Sequence, residues 1–241
     1  MSNPALTAVP TANTKVSDKA LIRAQAASGL AFAVFLVLHL ITLAAASLGQ
    51  ATYDAVQRAF RVYYQFPLVE IVLVLGVALV HVAASLLRVS RRRQAQAGRK
   101  AKVSLRVRLH RYTAYYLLTF FMGHVIATRL PSFFGYPADF SMLHYSLTVL
   151  PYVFYPYYAL LAFSGFFHMT HGVIVGLRVF KMKLPRAFTA PNSRGFWAWS
   201  ALAAVISVTS LLALGGHFFD VDKSRFAQWD ALTDQVLQLV N

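Results

Sequence analysis

The sequence predicts an all-α, polytopic membrane protein with five transmembrane helices, its N-terminus inside and its C-terminus outside. Three observations carry that expectation. The 241 residues are 58% hydrophobic and 13% charged, with mean hydropathy +0.54, whereas a soluble domain carries about a quarter charged residues. Five stretches reach or nearly reach the length of about 20 apolar residues that crosses the hydrocarbon layer. The charges are segregated between the two sides of those stretches. A backbone in lipid must close its own hydrogen bonds, so each stretch is expected to be helical.

The elements follow in order. Residues 1–22 are polar and rich in Ala and Thr. They lack the charged start and short apolar core of a signal peptide and read as a flexible inner-side tail, with a transit peptide left open. The five-span domain is expected over 23–219. Its first span lies in 24–53, uncharged between Arg23 and Asp54. The second, 71–87, lies between Glu70 and Arg88 and is extended by "FPLV". The third, 112–128, is bounded by Arg111 and Arg129. Residues 140–177 are uncharged and long enough for a surface segment followed by a full span. The fifth, 195–219, follows Arg194 and ends at Asp220. Residues 220–241 form an outer-side tail, where "WDALTDQVLQLV" has the periodicity of a short amphipathic helix.

The net charge of +15 invites a nucleic-acid reading, but its distribution excludes one. Residues 88–111 hold ten Lys/Arg and no acid, and together with 178–194 and the N-terminal tail they account for 18 of the 23 basic residues. Seven of the eight acids fall on the other side or at its edge. The positive-inside rule then sets the orientation. The basic loops suit anionic lipid or an inner-side protein partner. With no cysteine, the chain has no disulfide, no thiolate metal site and no iron–sulfur cluster of its own. It contains no internal repeat and no Gly-rich phosphate loop.

Histidines carry the chemistry. Of eight, His110 falls in the basic loop, and His144 and His217 lie at outer helix ends, where a wet interfacial role is expected. His39, His81, His124, His168 and His171 are intramembrane, where an ionisable group is a functional candidate by default. His81 stands seven residues before Arg88, and His171 seven before Arg178, so both lie about 10 Å above the basic edge at 1.5 Å per residue. His39 and His124 each stand sixteen residues beyond a basic residue, Arg23 and Arg108, or about 24 Å up. Two histidines from different helices at one depth are what a six-coordinate haem b requires. Zinc would need three or four ligands at one point. Small residues beside the candidates, Gly29, Gly76, Gly123, Gly165, Gly172 and Gly176, are read either as room for a porphyrin or as ordinary close helix packing. Arg88 and Arg178 are inner candidates for the haem propionates and Arg129 an outer one, with lipid-anchoring snorkels as the alternative.

Four local sequences carry a resemblance: "SGLAFAVFLVLHL", "VHVAASLLRVSRRRQ", "HRYTAYYLLTFFMGH" and "FFHMTHGVIVGLRVF". Across about residues 22–215 the chain resembles the five-helix, single-anchor, di-haem cytochrome b subunit of succinate:quinone oxidoreductases and fumarate reductases. The resemblance implies a haem-binding bundle with two haems b. His39 and His124 would hold the outer haem iron, and His81 and His171 the inner one. The family's ligand His precedes a Gly, which selects His171–Gly172 and leaves His168 to bind a propionate, a carbonyl or a quinone. It also implies a role as membrane anchor and electron carrier between an iron–sulfur subunit with its flavoprotein on the inner side and quinone in the bilayer. The expected location is a bacterial cytoplasmic or mitochondrial inner membrane. The chain departs from the family at Met169, where some members carry a membrane carboxylate. Glu70 is a candidate for an outer quinone site, or else a cap at the interface.

The stretch "HRYTAYYLLTFFMGHVIATRLP" also resembles mitochondrial haem-binding membrane proteins of haem or lipid homeostasis, which have no dehydrogenase partner. Cytochrome b subunits of other oxidoreductases and a haem-free structural membrane subunit complete the alternatives.

Overall fold

In a computed structural model the described residues are 17–95, 103–136, 138–190 and 193–240. Among them the chain is all-helical, without a strand. Helix α1 covers Asp18–Ala45 and starts where the Ser17 hydroxyl accepts from the Ala20 amide at 3.2 Å, with Asp18 in its first turn. Both features satisfy the positive end of a helix. Residues 18–22, read from sequence as the end of the tail, thus belong to this helix; the remainder of that expected tail, 1–16, lies outside the described residues. A single 3₁₀ turn, Ala46–Leu48, leads to Gly49 at φ 107, a conformation side chains avoid, and the chain turns there into α2, Gln50–Tyr64. The first uncharged stretch is therefore one long helix and the start of a second, separate one.

A π-helical segment, Val69–Gly76, runs directly into α3, Val77–Ala95. Helix α4, Leu105–Phe133, begins at Ser104, whose hydroxyl accepts from the Val107 amide. The 140–177 stretch divides as expected into a short helix, α5 (Phe140–Val149), and a long one, α6 (Pro151–Val179), which opens on a proline that has no amide to leave unpaired. A single-turn helix α7, Arg186–Thr189, precedes α8, Arg194–Leu214, and α9 covers Phe226–Val240.

Among the described residues, four helical stretches are long and apolar enough to cross a membrane: Asp18–Leu48, Val69–Gln94, Pro151–Val179 and Arg194–Leu214. Helix α4 matches α6 in length at 29 residues. Its early turns, however, carry Arg106, Arg108, Arg111 and three tyrosines, and these dilute its apolar stretch. The closest-packed pairs are α1 with α3, α1 with α6, α4 with α6 and α6 with α8. Helices α1 and α6 thus form the centre, with α3 against one and α4 against the other.

The two ends of the bundle differ. At one end α2, α5 and α9 form a cap whose core joins Tyr53, Phe140 and Leu147 to Leu211, Leu214 and Val221. Helix α9 docks there through Trp229, whose indole N–H donates to Ser141 Oγ at 2.8 Å. The opposite, basic end packs Phe167 and Ile174 of α6 against Phe196 of α8.

Candidate functional site

The histidines that the sequence analysis places in the spans form two groups. His39 of α1 and His124 of α4 face each other with ring centroids 5.9 Å apart, planes at 74°. Phe35 stacks beside His39 at 5.8 Å. Nearer the basic end, His81 of α3 faces His168 of α6 at 6.3 Å, planes at 89°. Neither α1–α4 nor α3–α6 is a closest-packed pair. In each case a third helix packs against both members: α6 against α1 and α4, and α1 against α3 and α6.

The hydrogen bonds fix the tautomers of the second couple. A backbone carbonyl can only accept, so His81 Nδ1–H donates to Gln25 O at 3.0 Å and His168 Nδ1–H donates to His110 O at 3.4 Å. That leaves the Nε2 lone pair free on both rings, the arrangement a metal-ligating imidazole shows. The Gln25 side chain continues the support. It accepts from the Arg88 guanidinium and donates to Ser85 Oγ at 2.6 Å. Gly29 makes room for the ring: a Cβ there would stand 2.8 Å from His81 Cε1.

His171, the residue selected from sequence as the partner of His81, is held otherwise. Arginine is always protonated, so Arg106 Nε–H donates to His171 Nδ1 at 2.8 Å and places the imidazole proton on Nε2. A neutral His171 therefore presents a donor where an axial ligand needs a lone pair. The ring that stands nearest His81 across the helices is that of His168, three residues before His171.

His110 was expected in a wet loop. It lies instead inside α4, its ring stacked on His168 at 4.2 Å and 4.5 Å from His171, with a buried Nδ1 that has no hydrogen-bond partner. The sequence signal for this was Ser104, a strong helix N-cap, which brings His110 into the second turn. His144, also read as wet, is 4% exposed, and its Nδ1–H donates to Leu214 O at 2.8 Å. Burial, reinforced by the Lys223 charge and only partly opposed by that carbonyl, holds its pKa below the ordinary histidine value. His217 is exposed and shares a 2.8 Å hydrogen bond between its Nε2 and the Tyr155 hydroxyl.

The remaining candidates have defined surroundings. Glu70 and Arg129 form a two-pronged ion pair, with Nε–Oε1 at 2.6 Å and a second nitrogen donating to Oε2 at 2.9 Å. Arg178 donates to Thr189 O at 2.7 Å. Nothing lies within 4 Å of where a Cβ would stand at Gly123 or Gly165, whereas Gly172 faces His110 Cε1 at 3.9 Å and Gly176 packs on Leu30. A cavity of about 610 Å³ at the capped end, lined by His144, Tyr155, His217 and Lys223, is separate from both histidine couples.

The haem implied by the sequence is tested by these distances. Nitrogen ligands at about 2 Å on opposite sides of a metal, plus about 1 Å from nitrogen to ring centre, separate two imidazole centroids by about 6 Å. Both couples meet that value. The ring planes within the two couples stand at 74° and 89°, and each couple would hold a haem iron between two helices. No family model, no curated protein and no solved structure matches the chain.

Proposed function

We propose that the chain is a di-haem cytochrome b: a five-helix membrane subunit, N-terminus on the basic side, that conducts electrons between that side and quinone in the bilayer. The observation that carries this reading is the pair of facing histidine couples, 5.9 and 6.3 Å between centroids. Each couple is drawn from two helices, and the two lie at different depths. The haems would supply reversible one-electron chemistry; the chain supplies everything else. His39 and His124 would hold one iron, and His81 and His168 the other. The carbonyls of Gln25 and His110 orient the second couple and keep Nε2 unprotonated. Gly123 and Gly165 leave open flanks for a flat ring. The fifth span would be α4, which contributes His124 and whose arginines stand at the basic interface.

The resemblance to the succinate:quinone oxidoreductase and fumarate reductase anchors supports an iron–sulfur subunit and a flavoprotein as partners on the basic side, in a bacterial cytoplasmic or mitochondrial inner membrane. The basic residues of 88–111 other than the buried Arg106 suit such a docking surface. In this reading Glu70, at the capped end, is engaged by Arg129 rather than free for a quinone. The second reading, a haem protein of homeostasis without dehydrogenase partners, rests on the likeness of residues 110–131 and shares the same histidines.

The test is a reduced-minus-oxidised spectrum of the purified chain with haem quantified per protein. Two haems per chain with b-type bands are expected, and none would refute the proposal. Purification from native membranes separates the two readings: an iron–sulfur protein and a flavoprotein co-purify in the first and are absent in the second.

A further inference from the structure

Arg106 is the most conspicuous charge that the proposed function leaves unused. It sits in the first turn of α4 at 7% exposure, and its guanidinium is held on three sides. Nε donates to His171 Nδ1 at 2.8 Å, one terminal nitrogen donates to Phe188 O at 2.9 Å, and the plane lies 3.6 Å over the Phe196 ring. None of these neighbours is an anion. A buried guanidinium in neutral surroundings keeps most of the cost of leaving water, which a carboxylate or phosphate would offset. Arg178 adds a second positive charge close by, and it too is anchored to α7, through Thr189 O.

The chain cannot supply the counter-ion. Of its eight acids, Asp18 is paired with Arg91 at 2.7 Å. The other seven, Asp54, Glu70, Asp139, Asp220, Asp222, Asp230 and Asp234, belong to the capped end, a bundle length away. This holds for the whole sequence, since residues outside the described segments include no Asp or Glu. The contrast with the other ion pairs is informative. Arg91, Arg129 and Arg225, all more exposed than Arg106, have carboxylate partners.

We propose that Arg106, with Arg178 beside it, is a binding site for an oxyanion brought from outside the chain, a carboxylate or phosphate seated at the basic end beside His171. The fork of the guanidinium is already aimed by His171 and Phe188, and the terminal nitrogen that neither of them uses would donate to the ligand. Two sources share this chemistry: a carboxylate of the haem held by His81 and His168, and the phosphate of an anionic lipid on the basic side. The haem source rests on the function proposed above, whereas the lipid source does not.

The full chain, freed of haem and placed in nanodiscs, distinguishes the two sources. In one arm it is titrated with iron protoporphyrin IX and with its dimethyl ester. In the other, native mass spectrometry compares retention of phosphatidylglycerol with that of phosphatidylcholine. If the haem is the source, the wild type prefers the diacid by at least about tenfold, as loss of one charge-assisted pair requires, and Arg106→Gln removes the preference. If lipid is the source, the diacid and ester bind alike, phosphatidylglycerol is retained selectively, and Arg106→Gln abolishes the selectivity. Arg106→Lys, which keeps the charge and loses the fork, should retain part of either effect and serves as the folded control. Preferences that survive Arg106→Gln in both arms overturn the proposal. A chain that takes up neither porphyrin refutes the haem function, and the lipid arm then still decides the fate of the oxyanion site.

Discussion

Gly29→Ala tests the position of His81 without touching a ligand. The new methyl would stand 2.8 Å from Cε1 and 2.9 Å from Nδ1 of the His81 ring. Ordinary carbon contacts begin near 3.5 Å, so the ring must retreat by about half an ångström or more. Metal–ligand distances tolerate only about 0.2 Å, and the retreat also loosens the 3.0 Å bond to Gln25 O that fixes the tautomer. Overpacking costs about 1–3 kcal/mol and the hydrogen bond about 0.5–1.5 kcal/mol. At 1.4 kcal/mol per factor of ten, haem affinity at the His81–His168 couple should fall between about tenfold and a thousandfold. The assay is haem content and the b-band spectrum of the purified variant under haem limitation: one haem is lost and the His39–His124 signal stays. Gly176→Ala supplies the control, because the atoms nearest its methyl are those of the Leu30 side chain, from 3.1 Å; it should strain packing and keep both haems. Equal haem content in Gly29→Ala and wild type would refute the placement of His81.

His168→Ala and His81→Ala should each remove the same one haem, whereas His171→Ala keeps both and alters only the surroundings of Arg106; loss of a haem in His171→Ala with both retained in His168→Ala reverses the assignment. Glu70→Gln and Arg129→Gln should each destabilise the chain, with the double variant less impaired than the sum by about 1–2 kcal/mol, as for a half-buried two-pronged pair; strict additivity in thermal unfolding would show that the pair contributes nothing. His144 has a pKa below the unfolded value because it is buried beside Lys223. Its neutral form is therefore the one the fold accepts: the stability it supports is present above the unfolded histidine pKa and declines as pH falls below it. The melting temperature of wild type should thus drop from pH 7 to pH 5 more than that of His144→Gln, and parallel curves would refute that origin.

The helices were largely legible because uncharged length and flanking charge are properties of the chain itself. Serine caps at Ser17, Ser104 and Ser193, a proline opening α6 and the break at Gly49 all mark ends that sequence encodes locally. One reading along the chain falls short for a physical reason. The flanking Arg108 and Arg111 place His110 in a loop when read along the chain, yet both project outward while His110 turns inward against His168. The same limit separates His168 from His171. Counting residues from a basic edge measures depth at 1.5 Å per residue, but it says nothing about which neighbour occupies the ring.

What decides between those two histidines is a side chain from another helix. Arg106 donates to Nδ1 of His171, and a guanidinium cannot exchange roles and accept. His168 instead meets the carbonyl of His110, which can only accept. One imidazole is thereby left with a lone pair on Nε2 and the other with a proton, although both sit on α6, three residues apart. In the proposed function, ligand identity would follow from the polarity of these hydrogen bonds, and the residue that sets it, Arg106, is itself the buried charge that lacks an anionic partner in the chain. Removing Arg106 should therefore do two separable things: erase the oxyanion preference and release His171 to compete for the iron. A second low-spin spectrum appearing in Arg106→Gln, and vanishing in Arg106→Gln/His171→Ala, would show that the competition is real; a single unchanged spectrum in both would show that His168 is selected by position alone.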